Sequence, residues 1–143
     1  APMPLAEGRE ESGPIPIDLA RTPDGYWRLT TETGTTPMSF DFHDRPADEA
    51  DFARMCAWQG RDPQSVFVQN LAVRRLTPAA HYSLKGRVLE ITTREGVAKE
   101  VIQGPEELVA TLRDRFGLDE PRAARLWPAI VARHIELFGA QAA

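Results

Sequence analysis

Hydrophobic positions recur at every second residue in the first third of the chain and again through its middle, and at helical spacing in between and at the end. Ile15, Ile17 and Leu19 alternate with other residues. Thr22-Pro23-Asp24-Gly25 follows, where Pro presets φ and Gly accepts positive φ for a turn. Tyr26 to Thr31 then reads as a strand, and Met38 to Phe42 alternates again. Two or three antiparallel strands with open edges are therefore predicted before residue 43. So few strands make a poor independent sheet and call for partners.

Arg45-Pro46 precedes a predicted helix from Ala47 to Trp58, with Asp48, Glu49 and Asp51 at its positive end. Phe52, Met55 and Cys56 fall at i, i+3 and i+4 and share a face, and Gly60 is placed as a stop. After Pro63 the period-two pattern resumes. Val66–Leu76, Tyr82–Lys85, Arg87–Thr93 and Val97–Ile102 read as a meander, with glycine turns at Lys85-Gly86 and Glu95-Gly96. Pro105 suits the first position of a helix to Arg115, closed by Gly117. A last helix covers Pro121 to Phe138, started or kinked by Pro128, with Leu126, Ile130, Val131, His134 and Phe138 as its stripe.

The resulting class is α+β: antiparallel strands of a partial β-barrel, a linking helix, then a small antiparallel sheet with two C-terminal helices. The expected boundaries are 1–45, 46–62 and 63–143. A length of 143 residues fits one modest unit, with 42% hydrophobic and 27% charged residues. No apolar run approaches a membrane span, and no signal peptide opens the chain. Residues 1–50 hold 4 Lys/Arg against 10 Asp/Glu, and residues 51–143 hold 13 against 11. Arg74-Arg75 is the only adjacent basic pair, too little for a nucleic-acid face. One cysteine excludes an internal disulfide and suits a reducing cytoplasm.

Candidate chemistry is sparse. Cys56 would need a base, yet it shares its helical face with Phe52 and Met55, so it reads as buried packing. His43, His81 and His134 are scattered, and a cysteine hydrolase pairing Cys56 with His43 or His81 has no support in the spacing. No HxxxH, CxxC or carboxylate cluster predicts a metal site, and no phosphate-binding glycine motif is present. From the residues alone, no catalytic set emerges.

One stretch is more specific. Asp51, Phe52, Met55, Cys56, Trp58, Pro63, Ser65 and Phe67 stand in the order Asp-Phe…Met-Cys…aromatic…Pro-x-Ser-x-Phe. A Tyr82-x-Leu84-x-x-Arg87-x-Leu89 stretch and an Arg115-Phe116-Gly117-Leu118 helix end come after it. This series resembles the arylamine N-acetyltransferase family from about Leu5 to Leu118, most strongly from Asp51 onward. Gly60, Arg61 and Asp62 depart from it, standing where many members have Ser/Thr-rich residues.

The resemblance implies the C-terminal part of a three-domain enzyme: the end of the barrel, a linking helix and an α/β lid. It implies acetyl transfer from acetyl-CoA to aromatic amines or hydrazines by a ping-pong cysteine mechanism, a cytoplasmic role in xenobiotic metabolism, and no metal. The family's nucleophile lies in Arg-Gly-Gly-x-Cys and its aspartate in Asp-x-Gly-Phe-Gly. The opening APMPLAEG, without an initiator Met, resembles the family's residues just beyond the latter motif. The catalytic Cys-His-Asp is thus expected before Ala1, the N-terminal catalytic half is the expected partner, and this chain alone is expected to be inactive. Phe67 is the one substrate- or cofactor-binding residue carried over, and plain core at a strand start is its equal alternative. A non-enzymatic α/β binding module lacking the catalytic half is the other class left open.

Overall fold

The computed structural model describes residues 4–11, 13–33 and 36–139. The chain builds two four-stranded antiparallel sheets joined by a helical connection. The first sheet runs in order β1 (Gly8–Glu10), β2 (Ile17–Arg21), β3 (Trp27–Thr33) and β4 (Thr36–Phe42). It holds one more strand than the two or three predicted, since β1 is a three-residue edge with no apolar alternation to reveal it. Leu19 opposes Leu29, which opposes Phe40. Leu19 and Trp27 are buried, whereas Phe40 is exposed on the edge strand β4.

An ion pair matches the register of β3 and β4. Arg28 and Asp41 face each other across β3 and β4 and join through two bonds of 2.7 and 2.6 Å, which hold the Asp41 carboxyl below its usual range. Beside them the Arg21 guanidinium stacks 4.1 Å from the Trp27 ring, and both side chains donate to Asp44.

Helix α1 spans Glu49–Arg61, capped by Asp48, whose side chain accepts from the Ala50 N–H. It runs through Gly60, contrary to the predicted stop. Gly60 is not among the positive-φ glycines, and the break falls at Asp62, extended before Pro63 as steric crowding by the proline ring requires. A second departure comes at once. Val66 to Gln69, predicted as the opening of a strand, is a helical turn, α2 (Val66–Gln69). Ser65 caps it by accepting from the Phe67 N–H, and that local bond overrides the β preference of Val-Phe-Val.

The second sheet is the predicted meander: β5 (Ala72–Leu76), β6 (His81–Lys85), β7 (Val88–Thr93) and β8 (Gly96–Val101). Helix α3 (Pro105–Thr111) starts on its proline and continues as a π-helical turn, Leu112–Phe116. Gly117 ends it in the left-handed conformation at φ 71°, where any other L-residue is strained. A 3-10 turn, Pro121–Leu126, then leads into α4 (Trp127–Phe138), so Pro128 starts this helix and does not kink it. Leu84, Leu89, Ile102, Leu108, Leu112, Phe116, Ala123 and Ile130 form the core between sheet and helices.

Arg87 ties this unit together from inside. It is only 4% exposed, and its guanidinium donates to the Ile102 carbonyl and the Gln103 side chain while lying 5.6 Å from the Trp127 ring. The backbone reinforces the link, with the Ile102 N–H donating to the Arg87 carbonyl at 2.8 Å. Thus the β6–β7 turn, the end of β8 and the start of α4 meet at one cation. Leu84 and Leu89 flank it in the core, which accounts for Tyr-x-Leu-x-x-Arg-x-Leu as a packing motif; Tyr82 meets Phe116 edge-on at 6.4 Å.

The same sheet carries a buried polar pair. His81 and Thr92 are cross-strand partners, and neither His81 Nδ1 nor Thr92 Oγ1 has a hydrogen-bond partner among the described residues. Burial pushes the His81 pKa below its ordinary 6.5, and the nearby Arg74 charge lowers it further. Below pH 6.5 the unfolded chain therefore binds a proton that the folded chain resists, so stability falls as pH drops through that window. His81→Gln should flatten the dependence between about pH 5 and pH 7, leaving the loss in more acid solution from Asp41 and Asp44. Urea midpoints across that range measure it; an unchanged slope in the variant would rule out His81 as the cause.

Candidate functional site

The connection between the sheets is where sequence signal and geometry converge. Gln59 lies in the last turn of α1, and its carbonyl would ordinarily accept from the residue four positions on. That residue is Pro63, which has no N–H. The Ser65 hydroxyl takes its place, donating to the Gln59 carbonyl at 2.7 Å. The same oxygen accepts from the Phe67 N–H at 3.3 Å, and the Ser65 carbonyl accepts from Val68 and Gln69. Ser65 is completely buried. One side chain thus closes α1 and opens α2, which gives Pro-x-Ser-x-Phe a physical reason.

Side-chain amides brace the joint. The Gln69 amide nitrogen donates to the Pro63 carbonyl, and that of Asn70 to the Val66 carbonyl, both at 2.9 Å. Asp62 Oδ1 accepts from the Gln64 N–H.

The joint displays an apolar surface. Phe67 is 61% exposed in this chain and lies in α2, not at the strand start that the sequence predicted. Phe52, Met55 and Trp58 of α1 are exposed as well, at 67%, 52% and 45%, together with Val66 and Val68. No residue of α1 is buried among the described residues. Cys56 corrects its expectation for the same reason: its face is apolar, as the spacing predicts, but it is uncovered, and the thiol is exposed. Periodicity identifies an apolar face; it does not say that the chain itself covers it.

The histidines are occupied elsewhere. The ring of His43 stacks on Tyr26 at 3.9 Å, His81 is buried in the second sheet, and His134 is buried in α4 against Phe138 at 4.9 Å. Neither His43 nor His81 is bonded to Cys56 among the described side chains. Nor is any group of His, Cys, Asp and Glu among the described residues placed to hold a metal ion. No helix of the described chain is long and apolar enough to cross a membrane. An open groove of about 440 Å³ along Leu71, Val73, Leu112 and Leu126 has the exposed Glu120–Arg122 ion pair at its rim. That pairing holds Glu120 below its usual range.

Two four-stranded antiparallel sheets, a capped connecting helix and helices packed on the second sheet define the fold. The chain superposes on the Mycobacterium marinum arylamine N-acetyltransferase in complex with CoA with a TM-score of 0.74 at 24% identity, over 93% of this chain and 49% of that one. The M. tuberculosis arylamine N-acetyltransferase gives 0.74 at 22% identity, over 93% and 50%. The Salmonella typhimurium enzyme gives 0.67 at 17%, over 89% and 49%. A sequence model of the N-acetyltransferase family matches residues 1–124, and the chain belongs to that family. It spans about half the length of these solved structures. Among curated proteins none matches.

The Ser65 bridge yields a direct test. Ser65→Ala leaves the Gln59 carbonyl without its donor and removes the cap of α2, at a cost of about 1–3 kcal/mol. Chemical denaturation measures it, and a change within about 0.5 kcal/mol, ordinary for an unimportant surface site, would show that the bridge does not stabilise the joint.

Proposed function

We propose that this chain is the C-terminal part of an arylamine N-acetyltransferase: the end of the barrel (1–45), the linking helix (46–62) and the lid (63–143). The observation that carries this reading is the uncovered apolar face of α1 and α2. An exposed patch built from Phe52, Met55, Trp58, Val66 and Phe67 is the mark of an interaction or ligand surface. The open edge strand β4, with Phe40 exposed, points the same way. The N-terminal catalytic half of the same enzyme is the partner that fits, in keeping with the half-length match to the solved structures.

The chemistry belongs to that half. There a cysteine, deprotonated by an imidazole that a carboxylate orients, attacks the thioester carbonyl of acetyl-CoA. The C–S bond to CoA breaks, and the CoA thiolate leaves and takes up a proton. An aromatic amine or hydrazine nitrogen then attacks the acetyl-cysteine, giving the amide and restoring the thiol. The present chain supplies a wall of the cleft, and Phe67 faces the acyl donor and the aryl acceptor. The M. marinum structure with CoA supports acetyl-CoA as the donor. A cytoplasmic setting suits a mechanism that needs reduced thiols.

Kinetics of the full-length protein test the assignment. Phe67→Ala should lower kcat/KM for an arylamine acceptor about tenfold, the scale of one aromatic contact and its buried area. Cys56→Ser should retain turnover, and the chain expressed alone should transfer no acetyl group. Unaltered kcat/KM in Phe67→Ala would remove Phe67 from the pocket. Turnover by the isolated chain that disappears with Cys56→Ser would place the nucleophile at Cys56 and overturn the reading.

A further inference from the structure

The last helix reaches back to the joint that carries Phe67. Arg133 of α4 donates through Nε to the Asn70 side-chain oxygen and through Nη2 to that of Gln69, each at 3.2 Å. Its third nitrogen, Nη1, pairs with Glu136 at 2.8 Å. The amide nitrogens of the same Gln69 and Asn70 hold the Pro63 and Val66 carbonyls. A continuous chain of hydrogen bonds therefore runs from α4 through two side-chain amides to the backbone on either side of Ser65. Each amide is oriented at both ends, because its oxygen accepts from a cation while its nitrogen donates to a carbonyl. Two features make this more than a surface contact. The guanidinium forks onto two successive residues, a geometry a lysine cannot reproduce. And Arg133 lies beyond the family match, which ends at residue 124, yet it grips the segment that carries the family's motif.

We infer that Arg133 is a positioning residue: it fixes the orientation of α2 and, through it, the display of Phe67, so that α4 tunes the pocket wall without touching substrate. The functional part rests on the assignment of Phe67 to the cleft; the mechanical part does not.

α2 is a single helical turn, too short to hold itself together, so external bracing decides how often it opens. Amide hydrogen exchange in the full-length protein reads that opening directly and needs no substrate. Arg133→Met should speed exchange at the Phe67, Val68 and Gln69 amides about tenfold, the scale of a lost charge-assisted hydrogen bond. Leu84 and Leu89 in the core should be unchanged. Arg133→Lys, keeping the charge without the fork, should restore only part of the protection. In a Gln69→Ala/Asn70→Ala background, Arg133→Met should add nothing further. Unchanged exchange at residues 67–69 would overturn the inference, as would an equal rise in the core, full protection in Arg133→Lys, or full additivity in that background. Because exchange is independent of turnover, an inert Phe67→Ala in the kinetic assay would fail the cleft assignment and leave this result standing.

Discussion

A single hydroxyl sets the course of the chain between its two sheets. Pro63 gives the Gln59 carbonyl no N–H to accept, and Ser65 provides the substitute from two residues further on. The hydroxyl lies where no solvent reaches it, so both its bonds must form inside the fold. That requirement places Ser65 against the end of α1 and starts α2 there as a helical turn. A strand leaving the same point would carry Phe67 in another direction, and the amides of Gln69 and Asn70 would lose their carbonyls. Asp62, extended ahead of the proline, gives the turn its angle.

A buried cation plays the equivalent part within the second sheet and its helices. Arg87 sits at the tip of the β6–β7 hairpin, and its bonds reach the β8–α3 connection while its plane approaches Trp127. A charge in that position is tolerable because two of its nitrogens are hydrogen-bonded and its plane lies near the Trp127 ring. Removing it would leave the Ile102 carbonyl and the Gln103 side-chain oxygen without the guanidinium, and only the backbone bond from the Ile102 N–H to the residue 87 carbonyl would still join the hairpin tip to that connection. The left-handed Gly117 completes the frame: its N–H bonds back to Arg113, Leu118 bonds to Leu112, and Arg75 donates to the Arg115 carbonyl.

Local rules are enough to read much of this from the sequence. Turn glycines delimit the meander, Pro105 and Gly117 mark the ends of a helix, and acidic residues mark the start of α1. The misreadings share one cause, in that each residue's environment depends on something distant in space or on a side chain's own bond. Val66-Phe67-Val68 has the composition of a strand, but Ser65 caps it into a turn. Gly60 has the composition of a stop, but the proline three residues later ends the helix instead. Cys56 resembles a core residue because apolar spacing says which residues share a face and nothing about what lies opposite. Arg133 carries no signal at all, since its partners are more than sixty residues away and belong to no motif.

The uncovered face and the braced joint have a common logic. Phe52, Met55 and Trp58 stand on a helix whose main packing neighbour in this chain is α2, so the helix has no core of its own to orient it. Its orientation must come from its ends. Asp48 satisfies the first turn, Asp62 and Ser65 satisfy the last, and α4 holds α2 through Arg133. Capping of this kind fixes direction without consuming apolar surface, which leaves that surface uncovered by the chain. A helix buried on its apolar side would gain stability from the chain itself and have nothing left to offer. Here polar bonds at the ends do the holding, and the hydrophobic face remains uncovered.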